Sequence, residues 1–143
     1  MSELHDNPDE QALKRGQVVI RPGPHDVFVD IDDEAHYAQL IDILGLIERN
    51  GNAVTVEMVT PSKSGGEKRH VYLRCDRPLE VIERIALQAC LGSDPRREIL
   101  SLLRAWSPHS DTNRAPTVFF ESPDHPKAPK SSSFLRKQRA LPV

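Results

Sequence analysis

Asp30 and Asp32 stand two residues apart at the end of a short apolar run, Val27-Phe28-Val29-Asp30-Ile31-Asp32-Asp33. On a β-strand, residues i and i+2 share a face, so both carboxylates point the same way. Two like charges held side by side cost free energy unless a cation offsets them. A hard divalent ion, Mg²⁺ or Mn²⁺, is a fitting offset, because it takes carboxylate oxygens and often substrate phosphates as well. The same residues also read as an acidic strand end, with Asp33 as the N-cap of a following helix.

Two further stretches carry groups of the right kind. Residues 62–70 (SKSGGEKRH) combine small residues, which let a backbone approach phosphate oxygens closely, with the charges of Lys63, Lys68 and Arg69. His70 opens the strand that follows, and its ring can donate a hydrogen bond to a phosphate oxygen. The alternative is a solvated hairpin loop with an exposed histidine; no Walker A pattern is present. Asp94, in Ser93-Asp94-Pro95, is either a plain helix N-cap or a third metal carboxylate.

The elements that must position these groups follow from pattern. Residues 17–20 (QVVI) form a short strand, broken by Arg21-Pro22-Gly23-Pro24, and residues 26–30 form the strand that delivers the aspartates. Tyr37, Leu40, Ile41, Leu44 and Ile47 recur at three- and four-residue spacing, which predicts a helix over 34–49 with one apolar face. Residues 53–59 alternate as a strand, and residues 70–75 (HVYLRC) form its hairpin partner. Pro78 opens a helix to about Leu91, with Leu79, Ile82, Ile85, Ala86 and Ala89 as the expected buried stripe. A second helix over 96–104 offers Ile99, Leu100, Leu102 and Leu103 for burial, and residues 117–120 (TVFF) form the last strand. This βαββαβ order predicts an α+β, RRM-like or ferredoxin-like fold: a four-stranded antiparallel sheet with helices on one face. That plan serves many functions and selects none.

At 143 residues the chain fits one domain with tails, here a disordered segment 1–16, a core 17–121 and a basic Pro/Ser/Lys-rich tail 122–143. The formal net charge of −2 does not mark the whole chain as nucleic-acid binding, although the basic tail suits a phosphate-bearing partner. Cys75 and Cys90 lack CxxC spacing, which argues against a zinc site built on them. Aromatic residues are 5% of the chain, too few for a broad base-stacking surface. The absence of a signal peptide or membrane-length apolar run makes a cytoplasmic location the default, with no membrane partner.

The three stretches, in this order, resemble the archaeo-eukaryotic primase (primase-polymerase) superfamily, over roughly residues 26–121. Val27-Phe28-Val29-Asp30-Ile31-Asp32 is similar to its hhhDhD strand end. Ser64-Gly65-Gly66 through His70-Val71-Tyr72-Leu73 is similar to its sxH hairpin, and Asp94-Pro95 through Leu103-Arg104 to its hD motif. The family core is an RRM-like sheet. The resemblance implies metal-dependent nucleotidyl transfer in DNA replication, with Asp30, Asp32 and Asp94 binding Mg²⁺ or Mn²⁺. Ser64 and His70, with Lys63 beside them, would contact the incoming nucleotide's phosphates, and Arg104 would assist with phosphate or template. Implied partners are DNA, an RNA primer, nucleotide triphosphates and a separate helicase or upstream domain, in a host cytoplasm if the chain is phage-encoded.

The chain departs from the family pattern in three places. Only about 29 residues precede the DxD strand, the hairpin loop is lengthened by Glu67-Lys68-Arg69, and Ala105-Trp106-Ser107 stands where a Pro-Gly often follows the arginine. A compact phage- or plasmid-type member is therefore expected. The alternative is a non-catalytic RRM-like nucleic-acid-binding or replication accessory protein; a third option is a ferredoxin-like protein-interaction domain.

Overall fold

The structure, a computed structural model, describes residues 8–61, 66–106 and 117–129. Strand β2 (Asp26–Ile31) lies at one edge of the sheet of the larger unit. It pairs antiparallel with β4 (Arg69–Cys75), from Asp26 opposite Arg74 to Ile31 opposite Arg69. Strand β3 (Val54–Pro61) pairs antiparallel with the other side of β4, giving the order β2-β4-β3. The register shifts between Val56 and Met58, placing a bulge at Glu57. A bulge, a charge and the terminal Pro61 all blunt an edge strand against pairing with another chain.

One face of this sheet is apolar because alternate residues are. Val27, Val29, Ile31, Val71, Leu73 and Cys75 are buried together with Leu40 and Leu91. Helix α2 (Glu34–Arg49) covers them, with Tyr37, Ile43, Leu44 and Ile47 packed against the cluster. Asp33 is its N-cap: the carboxylate accepts the His36 N–H at 2.8 Å. Gly51 follows the helix in the left-handed region (φ 84°), which favours glycine. The helix is present where its period predicts, but Ile43 rather than Ile41 faces the core, and Ile41 is exposed.

Helix α3 (Val81–Cys90) begins after Glu80, its N-cap, rather than at Pro78, whereas α4 (Pro95–Trp106) lies where expected; of the expected stripes Ile85 is buried and Leu79 packs on the core, but other positions differ. The buried residues of α3 are Arg84, Ile85 and Gln88, while Ile82 is exposed. Those of α4 are Glu98 and Ser101, while Ile99 is 58% exposed. Polar side chains turn inward here because they meet a strand edge rather than a sheet face.

The chain divides into two compact units: Pro22–Thr117, and the terminal segments up to Arg21 and from Val118 onwards. In the second unit β1 (Val18–Ile20) pairs antiparallel with β5 (Phe119–Glu121) as a separate two-stranded sheet. The class is therefore α+β with antiparallel sheets of three and two strands, and the single four-stranded sheet is not formed. Strands β1 and β5 group with the terminal segments. Within the segment expected to be disordered, α1 (Pro8–Lys14) is helical, and Asp9 pairs with Arg21 at 2.7 Å. The tail from residue 130 lies outside the described residues. Among the described residues, no helix is long and apolar enough to cross a membrane.

Candidate active site at the end of strand β2

Among the described residues no strand lies beside the outward edge of β2, yet its backbone groups are met one by one. Arg84 Nε donates to the Asp26 carbonyl at 2.9 Å. Gln88 Oε1 accepts from the Phe28 N–H at 3.0 Å, and Arg97 Nη1 donates to the Phe28 carbonyl at 2.9 Å. Ser93 Oγ accepts from the Asp30 N–H at 3.0 Å, and the Asp94 N–H donates to the Asp30 carbonyl at 2.9 Å. Buried backbone groups demand such partners, and here the α3–α4 pair supplies what a fourth strand would have supplied. Gln88, fully buried, also donates to Glu98 Oε1 at 2.8 Å and Thr117 Oγ1 at 3.1 Å, so a polar network underlies the edge.

This closure places Asp94 against Asp30. Asp94 is also the N-cap of α4, with Oδ1 accepting the Arg96 N–H at 3.0 Å. His70 lies directly across from Asp30 on β4. Because Asp30 turns its own N–H and C=O toward the helices, the pair is of the non-hydrogen-bonded kind, whose side chains lie closest. Thr60 continues the row on β3, and its buried Oγ1 has no hydrogen-bond partner. Asp32 follows the strand by one residue and is exposed.

The electrostatics mark Asp30 out. Burial pushes its carboxyl above the usual carboxylate range, and the neighbouring Asp94 and Asp32 charges push it further. Arg97 and His70 act in the opposite direction. Arg97 is itself inside, paired with Glu98 Oε2 at 2.7 Å; burial lowers its pKa, while Glu98, Asp30 and Asp94 favour its charge. Asp33, by contrast, is held below the usual range by the His36 N–H and ring, as a solvated N-cap should be.

Four of the residues named from sequence thus gather at one end of the sheet: Asp30, Asp32, Asp94 and His70. Lys63 and Ser64 lie outside the described residues. Arg104 is in the last turn of α4, and ten residues of helix carry it about 15 Å from Asp94 along the axis, so it does not join them. Arg69 turns to the opposite face, against Glu34 and over the Tyr37 ring at 5.1 Å. Sequence reasoning missed Gln88, Ser93 and Arg97. The usable signal was spacing: Arg97 lies one helical turn after Asp94 and so on its side of α4.

Among the described residues, no three His, Cys, Asp or Glu side chains converge to hold a metal ion by themselves. Asp30 and Asp94, joined through their backbones, and the exposed Asp32 are the carboxylates here that could supply oxygens to a hard cation. Mg²⁺ is commonly held by one or two carboxylates, with waters and substrate phosphates completing its shell. Phe28 and Tyr72, which pack edge to face with centroids 5.1 Å apart, are both buried and offer no base-stacking platform. No family model matches the chain, and neither a curated protein nor a solved structure matches it.

Proposed function

We propose that the chain is a primase-polymerase-like nucleotidyltransferase that adds nucleotides to a primer or template strand in DNA replication. The observation that supports this reading is that Asp30 pairs with His70 across the sheet, is bonded through its backbone to Asp94, and lies within the electrostatic reach of Asp94 and Asp32. Asp30 and Asp94, with Asp32 at the rim, would hold Mg²⁺ or Mn²⁺. Such ions lower the pKa of an attacking oxygen and neutralise charge on transferring and leaving phosphates. His70, on the opposite strand, would donate a hydrogen bond to a phosphate oxygen of the incoming nucleoside triphosphate. Arg97 would balance charge at the cluster without reaching the nucleotide, because its guanidinium is committed to Phe28, Ser93 and Glu98. DNA, an RNA primer and a separate helicase or upstream domain are the partners this reading requires.

The test is nucleotide incorporation on primed and unprimed templates in Mn²⁺, by the wild type and by the Asp30→Asn, Asp32→Asn double variant. Incorporation by the wild type and its loss in the double variant are expected, with DNA binding retained because it rests on Lys and Arg. No product from the wild type, alone or with candidate partners, together with metal-independent DNA binding, replaces the enzyme with a non-catalytic nucleic-acid-binding module.

A further inference from the structure

We infer that Ser93 and Arg97 are positioning residues, locking the end of β2 to the α3–α4 turn so that the Asp30 and Asp94 carboxylates keep one fixed separation. Its functional consequence rests on the nucleotidyl-transfer reading; its structural content does not.

Asp30 is held on both backbone groups by two consecutive residues, its N–H by Ser93 and its carbonyl by the Asp94 N–H. The Ser93 hydroxyl is 3% exposed and accepts a second hydrogen bond, from Arg97 Nη1 at 3.1 Å. The same Nη1 donates to the Phe28 carbonyl two residues before Asp30, and Glu98 Oε2 anchors it from within α4. One guanidinium therefore fixes the serine that fixes Asp30, and also the strand leading to it. Arginine suits this task because its planar donors are rigidly disposed and its charge is permanent. Two carboxylates that share an ion must be held to a fraction of an ångström, and loose support weakens such sites even when every ligand is present. Gln88 provides the internal control: it closes the same edge at Phe28 but touches neither Asp30 nor Asp94.

The experiment uses the full chain and the variants Ser93→Ala, Arg97→Lys, Arg97→Met and Gln88→Met. Amide hydrogen exchange at Asp30 is read beside that at Val29, which belongs to the β4 side of the strand. Calorimetry with Mn²⁺ and a non-hydrolysable deoxynucleoside triphosphate reads the site. Ser93→Ala and Arg97→Met should each speed Asp30 exchange at least tenfold, leave Val29 unchanged, and weaken Mn²⁺-dependent nucleotide binding at least tenfold. Arg97→Lys should bind within about threefold of the wild type. Gln88→Met should lower the melting temperature more than Ser93→Ala does, yet weaken binding less. Wild-type affinity in Ser93→Ala and in a folded Arg97→Met overturns the inference, as does affinity that simply tracks melting temperature across all four variants. If Arg97→Met does not fold, Ser93→Ala decides. If the wild type binds no nucleotide in Mn²⁺, the nucleotidyl-transfer reading falls, and unchanged Asp30 exchange in Ser93→Ala then overturns the positioning role separately.

Discussion

Helix α2 and the α3–α4 pair meet the same three-stranded sheet in opposite ways. Helix α2 lies on a face, where side chains stand out from the pleat and nothing polar needs a partner. It accordingly presents Tyr37, Leu40, Leu44 and Ile47. The α3–α4 pair meets the edge of β2, where N–H and C=O groups point outward and must be bonded. It accordingly presents Arg84, Gln88, Ser93 and Arg97, and turns Ile82 and Ile99 toward solvent. A helix on a face is held by area; a helix on an edge is held by matched donors and acceptors. The second arrangement also fixes individual backbone atoms, and the candidate carboxylates sit on that side of the strand.

The largest expected effect breaks the comparison directly. Gln88→Met keeps volume but leaves the Phe28 N–H without its acceptor and Glu98 Oε1 without the Gln88 donor. Such a change should cost about 2–4 kcal/mol, the scale of a buried group left unsatisfied within a network. The same replacement on the face helix, Leu40→Met, should cost less than about 1.5 kcal/mol, because hydrophobic exchange at constant volume is tolerated. Chemical denaturation of both variants measures the difference; equal costs would mean that the edge is not held by matched polar groups.

An intermediate effect concerns the cap of α2. The folded pKa of Asp33 is depressed, so its contribution to stability is present above the ordinary carboxylate value and is lost as pH falls through the lower folded value. The stability difference between wild type and Asp33→Ala should therefore be full at neutral pH and shrink in acid. For Asp30 the sign is opposite: its folded pKa is raised, so ion-free stability falls as pH rises from the ordinary value through the raised one. Asp30→Asn should match or exceed the wild type in stability at neutral pH without metal. The smallest effect sharpens the outer side of the edge helices: Ile99→Ser should change stability by no more than about 0.5 kcal/mol, because the side chain is already 58% exposed.

This contrast also explains what could be read from the chain. Face contacts leave an apolar period, so α2, the strands and the Asp30–Asp32 placement at the strand end were legible. The α3 and α4 segments were legible as helices, but apolar spacing caught only part of their inner side: Ile85 is buried and Leu79 packs on the core as expected, while Ile82 and Ile99 are exposed and Arg84, Gln88 and Glu98 are buried. An inward Gln88 or Arg97 looks like a surface residue until the strand edge it serves is known. The last strand carried the right pattern and the wrong partner: residues 119–121 pair with 18–20, and β2 has no unmet edge left for them. Asp94 was visible as an N-cap, and its approach to Asp30 follows only from the tertiary bond between their backbones. Arg104 was chosen over Arg97 because a linear motif does not show where a helix runs.

Calorimetric titration of the full chain with a non-hydrolysable deoxynucleoside triphosphate, with and without Mn²⁺, tests the central claim most directly. The gathered carboxylates predict binding that requires Mn²⁺ and disappears in the Asp30→Asn, Asp32→Asn double variant while its melting temperature holds or rises. Binding of equal strength with and without Mn²⁺, or undiminished in the double variant, would contradict it.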